Sequence, residues 1–412
     1  MHVVVIGGGP AGMMAAGQAA LAGADVTLCE KNQRLGKKLA ITGKGRGNVT
    51  NAAEIKELIQ QYPGNGSFLY GPLYRFTNDD LRQFLLDLGV PTVVERGGRV
   101  FPQSQKAQDV VEALSRWLRK VGVKVLLGKQ VTRLLVTERG MIEGVICAGE
   151  KLAADAVVLA TGGASYPATG STGDGYRLAQ EVGHTIVTPR PALVPLETKE
   201  SWVRELTGVA LKNVTATLTV EGRVVAEEFG EMLFTHYGVS GPIILTISRA
   251  AVEALMKKKK PMLHLNLKPA LTREQLDARL LRDFKKNIRK QFKNSLNDLL
   301  PQRLIETIIM LSGISPDLPV HQISKDQREA LLTTLTDLRL QIKSPRSLRE
   351  AIVTAGGVAV KEIHPTNMAS KLVGGLYFAG EVIDIDGNTG GYNLQAAFST
   401  GFVAGLSAAL QA

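Results

Sequence analysis

The run HVVVIGGGPAGMMAAGQAALAGADVTLCEK, residues 2–31, leaves the start of this chain little freedom. A short apolar run enters a glycine turn, an alanine-rich helical stretch follows, and a second apolar run ends in an acid. Two strands joined by one helix over so few residues pair in parallel through a right-handed crossover. Gly7, Gly9 and Gly12 hold the GxGxxG positions. The first makes the tight turn, the second admits a pyrophosphate to the backbone, and the third lets helix and strand pack closely. The helix start then turns its free N–H groups toward phosphate. Glu30 ends the second strand where a carboxylate can accept from a ribose 2′-hydroxyl. An unpaired acid there disfavours NADP and leaves FAD or NAD.

Residues 31–51, KNQRLGKKLAITGKGRGNVTN, decide between those two. A nicotinamide unit proceeds from its second strand into a crossover helix. Here a loop carries Arg34, Lys37, Lys38, Lys44 and Arg46 among four glycines, which fits a cofactor extended beyond one mononucleotide half. Two later stretches return to the same texture. AVVLA delivers Ala160, Thr161 and Gly162 onto tight glycines, and LYFAGEVIDIDGNTGGYNLQ, residues 376–395, leads through Gly380, Glu381 and Asp384 into a helix. The strand entering Gly380 is expected beside the first strand. The N–H groups at Gly391, Tyr392 and Asn393 are expected to stabilise negative charge on a reduced isoalloxazine.

Between these stretches the chain changes character. Asn78–Leu88 reads as an amphipathic helix with its cap at Asn78, and Ala107–Val121 as another. Prolines at 189, 191 and 195 mark a boundary. The order is nucleotide domain, insert, nucleotide domain: residues 1–189 and 346–412 for the FAD-binding domain, 190–250 for short strands, 251–345 for basic, leucine-rich helices. Of the formal net charge of +11, Lys257–Arg303 supplies fourteen Lys or Arg against four Asp or Glu, a net +10. No nucleic-acid-binding motif accompanies that charge, so a solvated helical face is the plain reading and an anionic partner the alternative.

Cys29 and Cys147 lie in apolar runs with no CxxC or metal-ligand spacing, which points to a reducing, cytoplasmic setting. No metal is expected. The N-terminal run reads as a strand rather than a signal peptide, and no stretch approaches the ~20 apolar residues of a spanning helix.

The motifs GGGPAG with Glu30, RLGKKLAITGKGRGNVTN, LATGGASYPATGSTGDGY, FTHYGVSGPIIL, TAGGV and GEVIDIDGNTGGYNLQ together resemble the BaiN/YhiN-type, aminoacetone-oxidase-like family of FAD-dependent oxidoreductases. The resemblance implies an α/β fold: a Rossmann-like FAD-binding domain interrupted by an insert with a small β-barrel and a helical subdomain. It carries FAD binding onto Gly7, Gly9, Gly12, Glu30, Lys38, Arg46, Ala160, Gly162, Asp384, Asn393 and Leu394. Lys31, Gly47, Asn48, Val131, Thr161, Gly380, Glu381, Gly391 and Tyr392 are counted with them as cofactor contacts. Family members carry different reductase and oxidase activities, so the reaction stays open.

The expectation is hydride transfer between FAD and a small or hydrophobic organic substrate, with NADH or NADPH as a transient donor. A flavin-dependent RNA-modifying protein, an FAD-dependent amine oxidase and a flavin binder without turnover are the alternatives. Flavin chemistry needs no protein nucleophile. His236, Tyr237 and Tyr392 are the catalytic candidates, with Thr354 and His364 behind them.

Overall fold

A computed structural model describes residues 1–411. It contains two compact units, one made from Met1–Arg190 together with the chain from Ala351 onward, the other from Pro191–Glu350.

The first unit is organised on a parallel sheet of five strands. These are β1 (His2–Ile6), β2 (Asp25–Glu30), β3 (Lys124–Leu127), β4 (Ala156–Leu159) and β5 (Leu376–Phe378), in the spatial order β5-β4-β1-β2-β3. β4 therefore stands between β1 and β5, which corrects the expectation that the last strand adjoins the first. The burial pattern explains it. All four residues of β4, AVVL, are buried, and it pairs with β1 on one edge and β5 on the other. A run that is apolar on both faces belongs in the middle of a parallel sheet.

Helix α1 (Pro10–Leu21) follows β1 and packs against the C-terminal helix, Tyr392–Leu410. The contact is backbone-close. A Cβ at Gly401 would lie 2.4 Å from the Ala11 carbonyl oxygen, and one at Gly405 would lie 2.1 Å from that of Ala15. Each glycine costs about 1 kcal/mol of helix propensity relative to alanine; the close approach of the two helices requires it. Three antiparallel strands, Val131–Val136, Ile142–Cys147 and Glu150–Ala153, form a small sheet before β4. The Asn78–Asp87 helix is capped one residue earlier than expected. Thr77 and Asp80 make a reciprocal capping box, and the Asn78 amide instead donates to the Asn51 and Ala53 carbonyls.

In the second unit, six strands close a barrel: Leu196–Thr198, Gly238–Ser240, Arg223–Thr235, Ala210–Val220, Pro261–Asn266 and Leu338–Pro345, in that order around it. The last two lie inside the stretch 251–345 that the sequence presents as helical. PMLHLN alternates buried and half-buried residues with period two, as a barrel strand must, but it is too short to stand out among leucine-rich helices. Those helices are Arg273–Lys286, Gln302–Ser312 and Lys325–Thr336. Thr272 and Ser324 start the first and third with capping boxes.

Candidate functional site

The carboxyl ends of β1, β2, β4 and β5 gather the glycine motifs in the first unit, where an open parallel sheet places its ligands. The three N-terminal glycines have three different constraints. Gly7 has φ +107°, and a Cβ on it would lie 2.5 Å from the Ala160 carbonyl oxygen. A Cβ on Gly12 would lie 1.8 Å from the Gly7 carbonyl oxygen. Gly9 keeps ordinary backbone angles, φ −80° and ψ −177°, and a Cβ there would meet no atom within 4 Å. Gly7 and Gly12 are therefore demanded by packing. Gly9 is not, so its missing side chain leaves room for a ligand.

Glu30 is 8% exposed. One carboxylate oxygen accepts from the Gly8 N–H at 2.7 Å, and the other from the Asn32 N–H and side-chain amide, both at 2.7 Å. This fixes the carboxylate beside the glycine turn. Three cations of the following loop are held by acids. Lys31 pairs with Asp174 at 2.7 Å. Lys38 pairs with Glu381 and donates to the Ser165 hydroxyl, each at 2.8 Å. Arg46 pairs with Glu95, donates to Gln105 at 2.6 Å and lies 4.1 Å over the Phe101 ring.

The Lys38 cluster joins four remote segments. Glu381 also accepts from the Thr354 N–H at 2.8 Å and the Ser165 hydroxyl at 3.2 Å, while the Thr354 hydroxyl accepts from the Ala164 N–H at 2.9 Å. Thr354 thus braces the network. Ser165 and Asp174 were missed as site residues by sequence reasoning; they lie inside the quoted SYPATGSTGDG stretch, but only the fold shows which lysines they meet. Thr161, after β4, has a buried hydroxyl without a hydrogen-bond partner, and Gly162 follows with φ +72°.

The C-terminal helix starts at Tyr392 behind Gly391, φ +100°, whose Cβ would lie 2.2 Å from the Thr50 carbonyl oxygen. With the Asn48 amide turned to satisfy its neighbours, its oxygen accepts from the Gly391 N–H at 3.0 Å, so that N–H is engaged within the protein. Asn393 clasps the turn before the helix, accepting from the Gly387 N–H at 2.8 Å and donating to its carbonyl at 2.7 Å. Neither this helix nor α1 has a side-chain cap or an acid in its first turn. Both therefore keep positive dipole ends suited to anions.

The remaining expected residues fall as follows. Asp384 accepts from the Asn65 amide at 3.0 Å. Gly380, φ +74°, donates to the Thr400 hydroxyl at 2.9 Å. A Cβ on Gly47 would lie 2.9 Å from the Ala107 Cα. Val131 is buried at the start of its strand, and Leu394 is half-buried in the first turn of the C-terminal helix. The Tyr392 carbonyl accepts from the Tyr62 hydroxyl at 2.7 Å, and burial, with the Glu57 charge adding to it, pushes its own phenol up. His364 lies in the first unit, where its N–H donates to the Ala369 carbonyl at 2.8 Å. His236 and Tyr237 belong to the second unit, in the turn between two barrel strands. Their rings meet edge to face at 4.8 Å, and Arg346 covers Tyr237 at 4.6 Å.

A buried acid fixed beside an open glycine turn, an unpartnered hydroxyl after β4 and a second uncapped helix start after β5 fit the two halves of FAD. These features define a Rossmann-type FAD-dependent oxidoreductase. The family described as HI0933-like protein Rossmann domain matches residues 1–407, and this chain belongs to it. It is 33% identical over 410 residues to a 3-dehydro-bile acid delta(4,6)-reductase of Clostridium scindens, covering 99% of both chains. It is also 33% identical over 401 residues to a ribosomal RNA dihydrouridine synthase of Escherichia coli strain K12, covering 96% of this chain and 95% of the relative. Among solved structures, a 3-ketosteroid delta1-dehydrogenase of Sterolibacterium denitrificans shares the fold with a TM-score of 0.56, at 13% identity over 100% of this chain and 99% of that one. No helix among the described residues is long and apolar enough to cross a membrane.

Proposed function

We propose that this flavoenzyme saturates a carbon–carbon double bond conjugated to a carbonyl group. The carrying observation is the pair of near-full-length relatives at 33% identity, whose names both describe that change. One is a delta(4,6)-reductase of a 3-dehydro steroid acid. The other makes dihydrouridine, in which the uracil ring double bond beside a carbonyl is saturated. Reduced FAD, once bound, would supply the hydride for the alkene carbon remote from the carbonyl, with a proton for the nearer carbon and NADH or NADPH as the source of reducing equivalents.

The protein's part is to bind and orient. α1 and the open edge at Gly9 would hold the pyrophosphate, and Glu30 would accept from the adenosine ribose. The Tyr392 and Asn393 N–H groups, at the uncapped helix start, would hold the flavin pyrimidine and stabilise the negative charge that reduction places there. Lys38, Ser165 and Glu381 tie the segments after β2, β4 and β5 into one wall. Burial keeps the Tyr392 phenol protonated at neutral pH, and Tyr392, His236 and Tyr237 are the proposed proton carriers. The reduced thiols and the nicotinamide donor suit the cytoplasm.

A second reading takes the acceptor as a uracil ring within RNA. It is favoured by the named activity of the E. coli relative and by the positive charge carried in the second unit. Both readings are tested by reducing the enzyme anaerobically and following flavin reoxidation. A conjugated steroid dienone or unmodified ribosomal RNA should restore the oxidised spectrum and yield the saturated product. Reoxidation by neither, together with direct flavin reduction by primary amines, would instead establish amine oxidation.

A further inference from the structure

We propose that the basic face at the end of the Arg273–Lys286 helix docks the phosphate backbone of RNA. This rests on the RNA reading above and names the surface that reading requires. From Arg279 to Lys293 there are seven Lys or Arg against one acid, Asp283. The helix buries Leu276, Leu280 and Phe284 along one stripe, so Arg282 and Lys285 project from the opposite side at helical spacing.

A solvated helix face normally neutralises itself with neighbouring acids, and this one does so incompletely. Arg279 pairs with Asp283 at 2.8 Å, Lys286 with Asp298 at 2.9 Å and Lys293 with Asp317 at 2.7 Å. Arg282, Lys285, Arg289 and Lys290 are exposed and make no ion pair among the described residues. The acids packed nearby are already committed.

The platform is also ordered beyond the helix end. The Phe292 and Lys293 N–H groups donate to the Leu318 and Pro316 carbonyls, and the Val320 N–H donates to the Lys290 carbonyl, at 2.9–3.0 Å. Arg289 and Lys290 thus stand on a pinned segment, which lowers the entropy lost when they engage phosphates. Leu281 and Ile288, 47% and 51% exposed, supply apolar surface between the cations.

The test uses the full-length holoenzyme and in vitro transcribed, unmodified ribosomal RNA, with binding measured across a salt series. The quadruple variant R282Q/K285Q/R289Q/K290Q is compared with wild type, and FAD content and melting temperature check its fold. Four lost phosphate contacts should reduce the slope of log K against log salt by roughly 3 and weaken binding at least about a hundredfold at 0.1 M salt. KM for RNA should rise while kcat at saturation holds, and R282K/R289K should bind like wild type. If wild type reduces uridine in RNA but the quadruple variant binds with the same affinity and slope, the surface is wrong and the RNA reading stands. If wild-type enzyme neither binds RNA nor is reoxidised by it, that reading fails and the surface with it. Equal loss of binding to vesicles of anionic phospholipid, without RNA binding, would assign the face to a membrane and overturn the proposal.

Discussion

Replacing Gly9 by valine separates cofactor binding from folding, because the three glycines of the turn are constrained in different ways. At Gly12 a Cβ would stand 1.8 Å from the Gly7 carbonyl oxygen, so even Gly12→Ala must break the turn. At Gly9 the backbone angles suit any residue and an added Cβ meets no protein atom within 4 Å. The cost to the fold is then mainly that of a β-branched residue at a helix N-cap, about 1 kcal/mol. The isopropyl group does fill the approach to the first-turn N–H groups of α1. Losing two charge-assisted hydrogen bonds from those groups costs about 3–6 kcal/mol, a fall in FAD affinity of roughly 10²–10⁴. Purified Gly9→Val should therefore be colourless, with far-ultraviolet circular dichroism like that of wild-type apoprotein, whereas Gly12→Ala should misfold. Titration of apoprotein with FAD by flavin fluorescence measures the affinity. A yellow Gly9→Val protein with one FAD per chain would refute the assignment of this turn to the pyrophosphate.

Three further outcomes follow from contacts in the first unit. Lys38→Met should lower FAD retention and melting temperature together, since it leaves the half-buried Glu381 carboxylate without its cation; adding Glu381→Gln should recover part of the loss, and strict additivity in a double-mutant cycle would show that the two do not interact. Burial alone pushes the Asp174 carboxyl up, but Lys31 at 2.7 Å, helped by Thr172 and Gln130, outweighs it and holds the group below its ordinary 3.8. A depressed folded pKa contributes stability above the unfolded value that is lost as pH falls through the folded one, so Asp174→Asn should flatten the fall of melting temperature below about pH 4, and an unchanged acid limb would count against the pair. Burial, reinforced by Cys147 at 3.5 Å, pushes the Cys29 thiol far up; both thiols should resist a thiol-reactive dye at pH 8 in native protein and react after denaturation, and fast native labelling would show the sheet opening there.

What could be read from the sequence was what local order decides. β1, α1, β2 and Glu30 form one continuous unit, so period and turn chemistry place them without reference to the rest. The position of β5 was not local information. A strand ending in a glycine turn can join either edge of a growing sheet, and only the fully apolar β4 taking the place beside β1 decides which. The cap of the Asn78–Asp87 helix shows a finer ambiguity: adjacent Thr and Asn both suit an N-cap, and the reciprocal bond with Asp80 selects Thr77. The two late barrel strands were masked by the leucine-rich helices between them. The Lys38 cluster was the least legible, since its partners Ser165 and Glu381 lie 127 and 343 positions away, and no spacing rule reaches across such separations.

The backbone contact of Gly401 and Gly405 with α1 has a consequence for biosynthesis. About 220 residues follow Arg190, and at ~5–20 residues per second their translation takes roughly 10–45 s. Throughout that interval β1, α1 and β4 exist without the strand and helix that cover them, so Ala11 and Ala15 present an open apolar face. Contacts that wait on such distant chain are slow to form and leave nascent protein prone to aggregation. A flavin site that uses the start of the Tyr392–Leu410 helix would be complete only after that helix is made. A premature stop between residue 190 and the start of the Tyr392–Leu410 helix should release a product that depends on chaperones and never turns yellow.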